Sequence, residues 1–166
     1  MSSASKVLER HDLCEVVDLV TTVLLQQEAI PIRGRDSARW ATDNDICVGA
    51  IAITGAFDGV FSLACTRTLL QTAMSKMIGP EVHDEEIATD LMAELTNVLG
   101  GNLKSLLSPP ENPCHLSLPI VAQRMFEVPG GELELEQWCA VGDELVLTRL
   151  WRAEAATRSA LLRVIQ

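Results

Sequence analysis

Four residues of one predicted helix, Asp90, Glu94, Asn97 and Gly101, have types and a spacing that could support chemistry. They lie in the segment 88–110, which reads ATDLMAELTNVLGGNLKSLLSPP. On a helical wheel of about 100° per residue with Glu94 at zero, Asn97 falls at about −60°, Asp90 at about −40° and Gly101 at about −20°. The spacing therefore predicts one narrow polar stripe, on which Glu94 and Asn97 are neighbours at i and i+3.

The residue types on this stripe favour contact with a partner over a plain solvated surface. A solvated surface is the ordinary explanation of a polar helix face. Such a surface would favour Lys, Glu, Gln and Arg, whereas Asn and Gly are poor helix formers, and each Gly costs about 1 kcal/mol relative to Ala. Gly101 has no side chain, so another surface can approach the helix closely there.

The chemistry open to this pair is the positioning of water beside a charged partner. The carboxamide of Asn97 offers both a donor and an acceptor, which together can orient a water molecule. Hydrolysis of an already activated phosphoryl group depends mostly on positioning and electrostatic stabilisation. A phosphate would repel the carboxylate of Glu94, so we expect Glu94 to pair with a cation on the partner.

The apolar residues of the same helix form a predicted core face at about 60° to 160° on the wheel. This face consists of Leu91, Met92, Leu95, Leu99 and Leu106. Asn102, at about 80°, is predicted to turn inward as a buried structural hydrogen-bonding residue. Gly100, at about 240°, has no predicted role.

The remaining sequence predicts the elements that position this helix. Apolar periodicity, turn signals and capping residues predict them, with Thr66 and Asp84 as the predicted N-caps of two helices. They are an N-terminal helix at about 9–27, a hairpin of strands over 46–55 and 60–65, a short helix over 66–79, the helix of the polar stripe at about 84–107, a proline-containing edge or bulged strand over 114–126, and a C-terminal hairpin at about 132–153. The tail, 154–166, fits either a helix or a strand. This order predicts a single α+β domain over 1–166, with helices packed on a mostly antiparallel sheet.

Composition disfavours several classes of function. The net charge is −10, with no basic run longer than two residues, which disfavours nucleic acid and anionic membrane as partners. No apolar run approaches the roughly 18 residues that span a bilayer. The five cysteines are widely spaced and lack a C-x-x-C, so they are predicted to be small buried hydrophobes in a reducing cytoplasm.

A metal or cysteine enzyme is the weakest alternative. His11, His83 and His115 are far apart in sequence, and the one adjacent pair, Cys114-His115, would face opposite ways on a strand. No ligand spacing predicts a metal site. We therefore expect no cofactor in this chain.

The pattern Asp90-x-x-x-Glu94-x-x-Asn97-x-x-x-Gly101-Asn102 resembles the signature helix of the CheC/CheX/FliY chemotaxis phosphatases, and its Gly-Asn ending resembles the CheX branch. The segment MSKMIG before the helix and the strand CHLSLPIVAQ after it resemble the corresponding parts of the family. The chain departs from the family in Gly100, in a Gln where a glycine often follows the proline strand, and in its long tail.

The resemblance implies a CheX-like fold of paired long helices over a sheet, and it implies a reaction. Such phosphatases act on the aspartyl phosphate of a CheY-like response-regulator receiver domain. Asn97 would align water for in-line attack, Glu94 would pair with the receiver's lysine, and Asp90 and Gly101 would border the contact. Mg²⁺ would be held by the receiver, and a homodimer is expected. The alternative is a non-catalytic module that only binds a phosphorylated receiver.

Overall fold

Three helices and seven strands make up the part of the chain that the computed structural model describes, residues 7–33, 40, 45–155, 159 and 163. In chain order they are α1 (Arg10–Leu25), β1 (Ala29–Ile32), β2 (Ile46–Thr54), β3 (Gly59–Thr66), α2 (Arg67–Met77), α3 (Glu85–Leu107), β4 (His115–Leu116), β5 (Ile120–Ala122), β6 (Glu132–Val141) and β7 (Glu144–Arg152). All but a few residues of the 154–166 tail lie outside the described residues, so its predicted structure stays a prediction.

The strands form one seven-stranded sheet in the order β1-β6-β7-β3-β2-β4, with β5 also paired to β2. Every recorded strand pair is antiparallel. The three helices contribute to one large apolar core on one face of the sheet. This arrangement confirms the predicted α+β class with helices on a mostly antiparallel sheet. No helix among the described residues is long and apolar enough to cross a membrane.

Strand β2 lies under α3 and has hydrogen-bonded neighbours on both sides. It pairs with β3 on one side and with β4 and β5 on the other. Its side chains alternate between the two faces, as the period of a strand requires. Cys47, Ile51 and Ile53 belong to the core beneath the helices, and Ile46 and Val48 belong to a smaller core on the opposite face with Trp138 and Leu147.

The proline-containing segment differs from its prediction as one strand over 114–126. It forms two short strands, β4 and β5, each paired only with β2. Just after β4, Ser117 remains bonded to β2, since its hydroxyl accepts from the Ala52 N–H at 2.9 Å and its own N–H donates to the Ala52 carbonyl at 3.0 Å. Pro119 has no N–H to offer the ladder. The predicted edge position is confirmed, and the prediction of one continuous strand is wrong.

Helix α1 forms although its Val and Thr content weakens helix propensity. Its buried side includes Leu13, Val16, Val17 and Val20, whose three- and four-residue spacing places them on one face. Asp12 accepts a hydrogen bond from the Glu9 N–H at 2.8 Å, which satisfies a backbone donor at the start of the helix. Tertiary burial of this face therefore outweighs the local propensity.

All five cysteines are buried free thiols, as predicted. Cys139 Sγ donates to Cys14 Sγ at 3.3 Å, which joins β6 to α1. Burial raises the pKa of Cys47 to about 11 and raises the pKa values of Cys65 and Cys139 further. These three thiols are therefore protonated at neutral pH, and none of them has the depressed pKa of a nucleophilic cysteine.

The stability of the fold is expected to decrease in alkaline solution because of these thiols. The contribution of Cys47 is fully present below the ordinary thiol pKa of 9.0 and is lost as pH rises toward its folded value of about 11. At about 1.4 kcal/mol per pKa unit, the loss from Cys47 approaches about 3 kcal/mol. Urea unfolding at pH 8, 9, 10 and 11 would measure it. Cys47→Ala should be less stable at pH 8 yet decline less steeply above pH 9, and parallel curves would contradict the assignment.

Candidate functional site

The helix of the polar stripe, α3, is fixed at its N-terminus by a side-chain cap and an ion pair. Asp84 Oδ1 accepts from the N–H groups of Glu86 at 2.8 Å and Ile87 at 3.2 Å, so the predicted N-cap is confirmed. Arg67, the first residue of α2, donates to both carboxylate oxygens of Glu85 at 2.7 and 2.6 Å. Arg67 also donates to Gln123. The beginning of α3 is thereby tied to α2 and to the segment after β5.

The structure places the predicted site residues together on the outer side of α3. Asp90, Glu94 and Asn97 are exposed, and Gly101 is half-buried. A Cβ added at Gly101 would meet no atom within 4 Å, so the helix surface is open there. Within the described part of the chain, no hydrogen bond or ion pair is recorded for the side chains of Asp90, Glu94 and Asn97. The carboxylates and the carboxamide are therefore available to a second molecule.

Val98 belongs to the same surface and was missed from the sequence. It is 39% exposed, and at about 40° on the wheel it lies between Glu94 and the predicted core face. Its position outside the 60° to 160° sector indicates an exposed residue, whereas its apolar type alone would suggest a core residue. A partner seated on the stripe would therefore meet a methyl-bearing surface beside the polar pair.

Asn102 differs in part from its predicted inward position. Its side chain is half-buried and donates to the carbonyl of Val98 at 2.8 Å, one turn back in the same helix. The predicted structural hydrogen bond is present, but it is made within the helix and not in the core. Asn102 is thereby occupied locally and separated in role from Asn97.

Gly100, for which no role was predicted, packs against the sheet. It is buried, and a Cβ on it would lie 3.2 Å from Ile51 Cγ2 and 3.6 Å from Leu116 Cδ1. The buried side of α3 therefore extends past the predicted 160° limit to Thr96 at about 200° and Gly100 at about 240°. The two adjacent glycines face different surroundings, since Gly100 contacts β2 and Gly101 faces open space.

This contrast predicts different effects of alanine on stability. Gly101→Ala should raise the free energy of unfolding by about 1 kcal/mol, because alanine favours the helix and the new methyl meets nothing. Gly100→Ala should raise it by less, since the methyl would crowd Ile51. Urea denaturation of the two variants would measure the difference. Equal effects would contradict the different environments of the two positions.

The stripe lies outside the clefts described in the structure. A cleft of about 840 Å³ lies between α1, β1 and β6, and a smaller one of about 170 Å³ lies between the starts of α2 and α3. Neither is lined by Glu94 or Asn97. No group of three or more His, Cys, Asp or Glu residues suited to a metal ion occurs among the described residues. The geometry of the stripe therefore suits contact with a macromolecular surface.

A family model matches the part of the chain that carries this site. Residues 47–127 match the model described as chemotaxis phosphatase CheX. This span runs from β2 through α3 to just beyond β5 and contains all four predicted site residues. No curated protein matches the sequence.

Solved structures with the same fold include CheX- and CheC-like proteins. CheX from Vibrio vulnificus has 16% sequence identity and a TM-score of 0.65 over 87% of this chain and 99% of that chain. A CheC-like superfamily protein from Shewanella sp. PV-4 has 24% identity and a TM-score of 0.63 over 87% and 96% of the two chains. CheX from Borrelia burgdorferi, in a CheX–CheY–BeF₃–Mg²⁺ complex, has 15% identity and a TM-score of 0.64 over 90% and 100%.

At these identities the structural likeness shows the fold, and the family model adds the match across the central segment. The resemblance predicted from the signature helix is thereby confirmed. Residues 47–127 match the family model of the CheX chemotaxis phosphatases, within a chain that has the fold of CheX- and CheC-like proteins.

Proposed function

We propose that this protein is a phosphatase that hydrolyses the aspartyl phosphate of a CheY-like receiver domain. The observation that carries the proposal is the exposed pair of Glu94 and Asn97 beside the open surface at Gly101. The pair lies inside the segment that matches the CheX family model. CheX from Borrelia burgdorferi, which shares the fold, has been solved with CheY, BeF₃ and Mg²⁺, and this supports a receiver as the partner.

In the proposed reaction Asn97 reaches the phosphorylated carboxylate of the receiver. Its carboxamide orients one water molecule in line with the bond between phosphorus and the aspartyl oxygen. The water oxygen bonds to phosphorus, the bond to the aspartyl oxygen breaks, and its electron pair stays on the free carboxylate. Both protons of the water remain on the released dihydrogen phosphate. Asn97 itself neither gains nor loses a proton.

Glu94 supplies docking and not proton transfer in this proposal. A carboxylate close to a phosphoryl group would raise the energy of the transition state unless a cation separated the two charges. We propose that Glu94 pairs with the lysine of the receiver's phosphorylation site and that Asp90 lies at the border of the contact. Mg²⁺ is proposed to be held by the receiver, so this chain would need no cofactor of its own.

The test is the lifetime of a phosphorylated receiver. The receiver encoded nearest to this chain's coding region would be phosphorylated with a small phosphodonor in the presence of Mg²⁺. Loss of phosphoryl groups would be followed with and without the protein. Accelerated, catalytic decay supports the phosphatase, and unchanged decay in spite of binding would support the alternative of a receiver-binding module. The expected homodimer stays a prediction, which sedimentation equilibrium would measure.

A further inference from the structure

The position of α3 on the sheet is fixed by an interlock between Thr96 and Gly49. Thr96 is fully buried, and its hydroxyl donates to the Met92 carbonyl at 2.7 Å. A Cβ on Gly49 would lie 1.8 Å from Thr96 Oγ1 and 2.9 Å from Thr96 Cβ. The side chain of Thr96 therefore fills the space that only a glycine leaves at this point of β2.

A second interlock lies one helical turn later, and in it the helix and the strand exchange roles. There the glycine is on the helix, and Gly100 receives Ile51 of β2 with Cγ2 at 3.2 Å from the position of an added Cβ. The step from Thr96 to Gly100 along the helix is about 6 Å, and the step from Gly49 to Ile51 along the strand is about 6.6 Å. The two contacts can therefore form together when α3 and β2 run in the same direction. Together they fix the rotation and the height of α3 over β2.

Gly49 cannot relieve a collision by moving its strand. It pairs with Leu63 of β3 on one side and with Val121 of β5 on the other. Rotation of the Thr96 side chain would not clear an added methyl either, because the Thr96 Cβ itself would lie 2.9 Å away. A methyl at Gly49 must therefore displace α3.

We infer that Gly49 and Thr96 are positioning residues for the reaction. They act through α3, since Thr96 precedes Asn97 directly and follows Glu94 by two residues. The inference rests on the proposed function and adds the device that sets where Glu94 and Asn97 meet the receiver. A misplacement of about 1 Å can cost about 10²-fold in rate, so a shifted α3 should impair the chemical step.

The main test is Gly49→Ala, which should displace α3 from β2 and lower kcat for receiver dephosphorylation about tenfold or more. In the double variant Gly49→Ala/Thr96→Gly, the helix no longer carries the side chain that would collide with the new methyl on the strand. This variant should therefore recover most of kcat. Leu147→Ala, a buried change on the opposite face of the sheet, controls for lost stability and should keep kcat near that of the wild type. A wild-type kcat in Gly49→Ala, or no recovery in the double variant, would overturn the inference.

A second pair of variants serves if Gly49→Ala does not fold. Thr96→Val keeps the branched shape and should retain kcat within about threefold, whereas Thr96→Ala loses the interlocking atoms and should lower it more. Equal kcat values would overturn the inference. Crystal structures of the folded variants provide a readout that does not depend on activity. If the wild type fails to accelerate dephosphorylation, the proposed function fails, while an unmoved α3 in Gly49→Ala would separately reject the interlock.

Discussion

Asn97→Ala is expected to lower kcat for dephosphorylation of the receiver by about 10²- to 10³-fold, the cost of removing one preorganised polar group from a reaction centre. The affinity for the phosphorylated receiver should change little, because the carboxamide acts on the water and the charge pair of Glu94 remains. Single-turnover decay of the phosphorylated receiver at saturating protein would measure the chemical step directly.

Asn102→Ala is the matched control for this variant, since it removes the same group from the same helix five residues away. The Asn102 side chain is occupied by the Val98 carbonyl and faces a different sector, so its loss should leave the rate near that of the wild type. Alanine also favours a helix over asparagine, so neither variant should lose helix stability. Similar rates for the two variants would show that Asn97 does not orient the water.

Local signals predicted the elements that hold this site. Thr66 accepts from the Leu69 N–H at 3.2 Å, and Asp84 caps α3. Both caps could be predicted, because a helix leaves its first N–H groups unpaired and residues such as Thr and Asp bind them. The hairpin of β2 and β3 was likewise predicted from alternation and the turn between them. The outward direction of Glu94 and Asn97 followed from helical periodicity alone.

Contacts between elements were not predictable in the same way. Gly100 and Thr96 are small or polar, so a helical wheel that counts only apolar residues ends the core face at about 160° and leaves these two buried residues outside it. Their burial becomes evident only with Gly49 and Ile51 beneath them, 47 and 49 positions away in the chain. The hydrogen bond from the Ala52 N–H to the Ser117 hydroxyl, between residues 65 positions apart, is likewise not indicated by any local pattern.

Glu94→Gln is expected to raise KM for the phosphorylated receiver about 30-fold while kcat changes less. The reason is that truncating one partner of a desolvated charge pair costs about 2 kcal/mol or more. Glutamine keeps the size and the hydrogen-bonding reach of the side chain, so the change reports the charge. Initial rates over a range of receiver concentrations at fixed ionic strength would measure KM and kcat separately.

Two further variants separate a specific ion pair from the general acidity of α3. Asp90→Asn removes the same charge one turn earlier, and Glu86→Gln removes it from the exposed first turn. A specific pair predicts a large rise in KM for Glu94→Gln, a smaller one for Asp90→Asn and almost none for Glu86→Gln. Long-range attraction alone would give three similar changes, each abolished by salt because exposed charges are screened over about 8 Å at physiological ionic strength. The order of the three KM values therefore decides whether Glu94 contacts a cation on the receiver.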